Sequence, residues 1–434
     1  MVNSPSHPHP PMGQRHARHK VEEGVELYHA QKHGEALKLW KGALRKLKNP
    51  HERFICLGYL AQAHGETGHY RELLSHSLQQ IDLANAQDDA YMRAEAYLNL
   101  ARSNERLGEY HKAITYARHC LQNESEDPRT PGYAYLCQGS AYLGLSNFPR
   151  ALESFELAMQ VANRAQDRIL ELQICIGLGS LFIELLDPQK ADMFLNNARK
   201  LLESVRISDV YVKYQSIISY HLSQIALQQD NIDTARALCQ AALKTAGDNG
   251  NRPTEASWSH YESGYAVMLD MEDKWGEMLA LESMARAAGG ALGGGRGSCE
   301  ENQGGQHRHC ECQAIQLNTK CLQIAMAIHC KFAQLRAHAR LSELYGSLCD
   351  EEAQESESQA VAHLVSEIEL FCNFCGQRYA FKPESLQALP CSHIFHESCL
   401  KQYVSVTDRP ALRCPKCIRS NPSTSTSSQF VAEV

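Results

Sequence analysis

Apolar and small residues recur at helical spacing through the first three-quarters of the chain, in a fixed order of small, large and small. The set occurs as Ala36/Trp40/Ala43, Ala151/Phe155/Ala158, Ala191/Leu195/Ala198 and Ala235/Cys239/Ala242. Offsets of 0, 4 and 7 place the three residues on one face of an α-helix, where small residues let a neighbouring helix approach and the large one fills the gap beside it. A partner helix precedes each: Gly139 with Tyr142 comes before Ala151, and Gly179 with Phe182 before Ala191. "GETGHY" (65–70) and "NERLGEY" (104–110) read as turns, with a glycine ending one helix shortly before an aromatic that opens the next. The residues opening the second helices, Ala36, Leu73, Ala113, Ala151, Ala191 and Ala235, are separated by 37, 40, 38, 40 and 44 positions. The pattern predicts an all-α stack of helical hairpins over residues 21–286. Two copies depart from it, with Leu73 in place of a small residue and Ala117 in place of a large one.

Beyond this region the periodicity changes. Residues 287–312 carry a glycine run, and glycine costs about 1 kcal/mol against alanine inside a helix, so this stretch is expected to be a flexible insert. Helical spacing resumes over 313–349, the remaining repeat helices. Residues 350–371 then read as a linker or coiled-coil helix with Val361, Leu364, Val365 and Ile368 on one side. Segments 1–20 and 418–434 are polar and are expected to be disordered.

Residues 372–417 are too short of apolar side chains for an ordinary core, yet hold Cys372, Cys375, Cys391, His393, His396, Cys399, Cys414 and Cys417. Thiolate and imidazole are the donors zinc prefers, four to a tetrahedral ion, so eight donors imply two closed structural Zn2+ sites. The CxxC pairs at 372/375 and 414/417 each offer two sulfurs to one metal. The other eleven of the seventeen cysteines are scattered through helical sequence and read as small buried residues.

Charge narrows the function further. A formal net charge of −7 over 434 residues, with no extended Lys/Arg block, argues against nucleic acid as a partner. No segment approaches the roughly 20 apolar residues of a membrane span, which predicts a cytoplasmic protein, peripheral on a membrane at most. No nucleophile elbow, phosphate loop or HExxH helix is present, so no catalytic residue is expected and protein binding is the expected task.

The hairpins resemble tetratricopeptide repeats, and the ligand order Cys-Cys-Cys-His-His-Cys-Cys-Cys resembles a RING-H2 finger. That resemblance implies interleaved sites: Cys372, Cys375, His396 and Cys399 on one zinc, and Cys391, His393, Cys414 and Cys417 on the other. The whole layout resembles the rapsyn family of postsynaptic scaffolds from about Met12 to Cys417, with "YLNLARSNERLGEYHKAITYARHCL", "ALESFELAMQVA" and "SLQALPCSHIFHESCL" carrying the likeness. It implies a scaffold that clusters nicotinic acetylcholine receptors and links them to the cytoskeleton through self-association and protein binding. The implied partners are receptor cytoplasmic loops, cytoskeletal proteins and further copies of the chain, on the cytoplasmic face of the postsynaptic membrane. The RING resemblance alone implies an alternative, an E3 ligase for ubiquitin or a ubiquitin-like modifier, with a conjugating enzyme as partner and the array holding substrate. Against it, Asn373 stands where such ligases carry an aliphatic residue, no Trp follows Trp275, and Arg419 comes one place late, after Ile418. The family is myristoylated at an N-terminal Met-Gly; here Gly13 would take that role only with Met12 as the start, and Ala17 replaces the Ser or Thr of the pattern.

Overall fold

The structure, a computed structural model, describes residues 12–30, 32–204, 208–229, 273–290, 304–368 and 393–407, with 231, 233–235, 237–238, 268–269, 370–372, 374–379, 385–389, 391, 414 and 417 as shorter pieces. Contacts divide the chain into two compact units, Met1–Cys137 and Gln138–Val434.

In the first unit, α1 (Met12–His29), α2 (His33–Leu44), α3 (Pro50–Glu66), α4 (Tyr70–Gln87), α5 (Ala90–Arg106) and α6 (Tyr110–Gln122) follow one another through short turns, each packed on the next. α7 (Thr130–Gly144) begins here. Asn49 caps α3 by accepting hydrogen bonds from the His51 and Glu52 amides, and Asp89 caps α5 through the Met92 amide. Ala17, Ala36, Trp40, Leu47, Cys56, Leu60 and Ala63 form one core cluster. Ala43 is fully buried as well.

The second unit continues with α8 (Phe148–Ala165), α9 (Arg168–Glu184), α10 (Pro188–Glu203) and α11 (Ser208–Gln228), then α12 (Lys274–Gly290), α13 (Gly304–Ala327), α14 (Lys331–Ser347) and α15 (Glu351–Glu367). Ala151, Phe155, Ala158, Ala191, Leu195, Ala198 and Ala235 are all buried. Ala242 and Cys239 lie outside the described residues.

One spacing explains the repeat. A methyl group on Gly139 would lie 2.5 Å from the Phe155 ring, and one on Gly179 would lie 2.7 Å from Leu195. Gly24 stands to Trp40 in the same way. Each large side chain therefore fills a notch left by a glycine sixteen positions earlier. In the two divergent copies the residues at these positions are Ser77 after Ala61 and Ala117 after Ala101, all fully buried. A smaller knob is thus matched by a shallower notch, and packing density is kept. The turns repeat as well. Gly68 (φ 79), Gly108 (φ 75), Ser146 (φ 61) and Leu186 (φ 59) each take a left-handed backbone five residues before the residue that opens the pattern, and only the first two do so without steric cost.

Two expectations are corrected. Residues 12–20 belong to α1 rather than to a disordered segment. Ala17 is fully buried, Gln14 donates to the Lys46 carbonyl and accepts from the Lys48 amide, and the Val21 carbonyl accepts from Trp40 Nε1 at 3.1 Å. The flexible insert expected over 287–312 is narrower, because α12 runs to Gly290 and α13 starts at Gly304. The glycine pairs there sit at helix ends, where their entropic cost is smallest, while Ala314, Leu317, Cys321 and Ala325 bury the face that holds α13 in place. Residues 291–303 lie outside the described residues.

Candidate metal centre

The finger follows α15 within the second unit and has little regular structure. β1 (Leu386–Ala388) pairs antiparallel with β2 (Ile394–His396) in the register Leu386↔His396, and α16 (Glu397–Thr407) starts directly after β2. Cys372 and Cys375 share a tight knuckle: the Gly376 amide donates to the Cys372 carbonyl (2.8 Å) and the Cys372 amide to the Gln377 carbonyl (2.9 Å). Gly376 has φ 70, a conformation that turns the chain back behind the second sulfur and suits a residue without Cβ. Cys391 and His393 lie between the strands, and Cys399 one turn into α16. Phe395 and Leu389 form a small core with Cys372, Cys399 and Cys414.

The donors fall into two quartets, Cys372, Cys375, His396 and Cys399, and Cys391, His393, Cys414 and Cys417, with all ligand atoms of a quartet within 4.8 Å of one another. His396 Nδ1 lies 3.3 Å from Cys375 Sγ and 3.8 Å from Cys399 Sγ. His393 Nδ1 lies 3.4, 3.5 and 3.4 Å from the sulfurs of Cys391, Cys414 and Cys417. Tetrahedral zinc, with Zn–S about 2.3 Å and Zn–N about 2.0 Å, separates its nitrogen and sulfur ligands by ~3.6 Å. The quartets have that spacing.

The surroundings of His396 fix its tautomer. Its Nε2 faces the carbonyls of Arg378 (3.2 Å) and Tyr379 (3.1 Å), so Nε2 carries the proton and Nδ1 presents its lone pair to the sulfurs. Burial, with the neighbouring Cys375 and Cys372, pushes the Cys399 thiol up to about 12. The Cys414 contact and burial do the same for Cys391. Thiols crowded this closely gain most from a divalent cation between them, so the donor set fits zinc on geometry and on charge.

The finger is seated on the repeats by a residue that sequence reasoning passed over. Asp187, 2% exposed, caps α10 by accepting from the Lys190 amide through Oδ1 (3.1 Å). Its Oδ2 accepts from the Leu386 amide (2.8 Å), at the start of β1 of the finger, and from the hydroxyl of Ser385 just before it (3.1 Å). Lys190 lies over the Phe182 ring, with Nζ 3.5 Å from Gln387 Oε1. Burial lowers its pKa, opposed by Asp187 and Glu397. An acid before Pro188 signals a helix cap; nothing local announces a partner almost two hundred residues away.

α15 packs on α14 through buried Leu364 and Val365, with His338 Nδ1 2.5 Å from Glu357 Oε2 and Ser342 bonded to Ser358 at 2.9 Å. Near the start of α14, the Phe332 amide donates to Ser146 Oγ (2.8 Å), and Arg336 pairs with Glu184 and Glu282.

Comparison with known proteins bears on 94% of the chain. The family model for the rapsyn N-terminal myristoylation and linker region matches residues 12–91, that for a tetratricopeptide repeat matches 94–127, and that for a Ring finger domain matches 370–418. Over 430 residues the chain is 28% identical to the 43 kDa receptor-associated protein of the synapse of Tetronarce californica, which covers 94% of this chain and 98% of the relative. It is 29% identical over 411 residues to the Gallus gallus protein of the same name, with the same coverage. Among solved structures, the Rap protein complexed with competence and sporulation factor is similar at a TM-score of 0.50 and 9% identity, over 82% of this chain and 99% of that one. That likeness concerns the helical fold. The chain is all-α, with tetratricopeptide-like repeats and a small C-terminal RING finger.

Proposed function

We propose that this chain, rapsyn-like along 94% of its length, is a postsynaptic receptor-associated scaffold. In this reading it binds the cytoplasmic loops of nicotinic acetylcholine receptors, further copies of itself and cytoskeletal proteins, from a peripheral position on the cytoplasmic face of the membrane. The observation that carries the reading is the end-to-end similarity to two proteins named for association with a synaptic receptor. Among the described residues no helix is long and apolar enough to cross a membrane, which fits attachment through partners.

The array contributes rigid helix pairs whose exposed faces offer binding surface, as stacked hairpins do in general. In the finger, Cys372, Cys375, His396 and Cys399 would hold one zinc ion and Cys391, His393, Cys414 and Cys417 the second. Bound zinc supplies cross-links in place of a hydrophobic core. With four protein donors at each site, no position stays open for water or substrate, so the metal has a structural role. Asp187 and Lys190 hold β1 against the α9–α10 turn, which fixes the direction in which the finger faces.

Two experiments test the reading. Co-expressed with nicotinic receptors in a non-muscle cell, the chain is expected to gather them into clusters; evenly spread receptors would overturn it. Mixed with charged ubiquitin-conjugating enzymes, the full chain is expected to release modifier no faster than its Cys414→Ser variant. Faster release would replace the scaffold with the ligase.

A further inference from the structure

Histidines crowd one hairpin of the first unit. The stretch "HGETGHYRELLSH" (64–76) brings His64 at the end of α3 and His69, Glu72 and His76 at the start of α4. Offsets of 3 and 7 from His69 place Glu72 and His76 on the same side of α4. His64 reaches them from α3: its ring stacks on His76, with centroids 5.4 Å apart, and meets His69 edge-on at 5.6 Å.

The hydrogen bonding of this cluster is incomplete. His64 is 4% exposed, and neither of its ring nitrogens has a partner; Nδ1 of His76 has none either. His69 is differently placed. Thr67 Oγ1 lies 2.9 Å from the Ala63 carbonyl, an acceptor, and 2.9 Å from His69 Nδ1. When the hydroxyl proton goes to the Ala63 carbonyl, Nδ1 donates to Oγ1 and Nε2 is left as a bare lone pair, the form of a metal-binding histidine.

We propose that His64, His69 and His76, with Glu72, form a site for a divalent transition metal of the zinc class, separate from the finger. Two imidazoles on one tetrahedral ion, with Zn–N about 2.0 Å, have ring centroids ~5 Å apart. The two separations here exceed that only slightly. Among the described residues only the finger quartets already have all their donor atoms within 4.8 Å, so the histidine site draws in around the ion and binds it more weakly than the finger does. Burial, with Lys41 of α2, holds the His64 pKa down at about 4 and lowers that of His76, so both rings are neutral and able to ligate. Lys41 opposes a cation and Glu72 offsets it. His69 and Glu72 are exposed, which gives the ion a way in.

Cobalt(II) titrated into the metal-free full-length chain tests this. Cobalt in the finger shows thiolate-to-metal charge-transfer absorption, whereas cobalt bound by imidazole and carboxylate shows only ligand-field bands. The expected result is a final equivalent that adds visible absorption without any further charge transfer. His69→Gln and His76→Gln should each lose it, with circular dichroism and the finger bands unchanged, so failure here is distinguishable from failure of the zinc reading of the finger. A titration of the natural chain that ends with the thiolate bands would overturn the site, as would a final equivalent that survives the double variant.

Discussion

Asp187 divides two tasks between its two carboxylate oxygens: one caps α10 and the other receives the finger. Asp187→Asn separates them. The amide oxygen can still cap the helix, but the new NH2 group would face the Leu386 amide, donor against donor. A hydrogen bond to a charged group contributes about 1.5–3 kcal/mol, and a buried donor left without an acceptor costs about as much. Hydrogen exchange at Leu386 should therefore quicken at least tenfold while the amides of α9 and α10 keep their protection; unchanged exchange at Leu386 would refute the seat. Glycine offers a second residue-scale contrast. Phe155 has Gly139 on one side and Gly177 on the other, where added methyl groups would lie 2.5 and 2.8 Å from its ring, so the ring has no room to retreat. Gly139→Ala gains about 1 kcal/mol of helix propensity but overpacks a filled notch, which costs about 1–3 kcal/mol. The overpacking should win, and Tm should fall. Gly42→Ala, with nothing within 4 Å of the new methyl, should raise Tm instead.

At the scale of elements, the sequence was most informative where side chains meet close neighbours along the chain. The hairpins are legible because knob and notch lie sixteen residues apart, and the candidate ligands of the finger because soft donors cluster within one short segment. Where structure depends on a distant surface, the sequence is silent. An acidic helix with four apolar residues on one side, such as 350–371, reads the same whether it is free or docked; what decides is the complementary side of α14, with His338, Ser342 and Lys331 opposite Glu357, Ser358 and Glu367. The start of α1 was misread for the same reason: its polar composition suggests disorder, and only the Trp40 cluster explains why Ala17 is buried. Leu364→Asp tests the docking of α15. It forfeits a buried Leu and forces a charge against α14, so α15 should detach at a cost of about 2–4 kcal/mol. Limited proteolysis should then cut within 351–367, a region that should resist cleavage in the natural chain. Equal resistance in both would mean that α15 is not held by this face.

Across the whole molecule, the cysteines sort by what surrounds them, and their reactivity gives a single readout of array and finger together. Burial pushes the thiols of Cys56, Cys120, Cys175 and Cys321 up to about 12 and that of Cys330 to about 11. At neutral pH a thiol with pKa 12 is about 10⁻⁵ thiolate, so these cysteines should resist alkylation until the helices open. Cys312 and Cys349 are exposed and should react first. Cys375 and Cys391 are also exposed, and what would protect them is a bound cation. Iodoacetamide labelling followed by peptide mass spectrometry, with and without a strong chelator, should therefore show three waves. Cys312 and Cys349 label under both conditions, the finger cysteines label only with chelator, and the buried cysteines of the helices label only after thermal unfolding. Labelling of Cys375 and Cys391 at the same rate without chelator would remove the metal from the finger. If instead chelator alone also exposed Cys175, close to the α9–α10 turn in sequence, the Asp187 seat would be coupling finger to repeats strongly enough for both to unfold as one cooperative unit, rather than for the finger to lift away from an intact array.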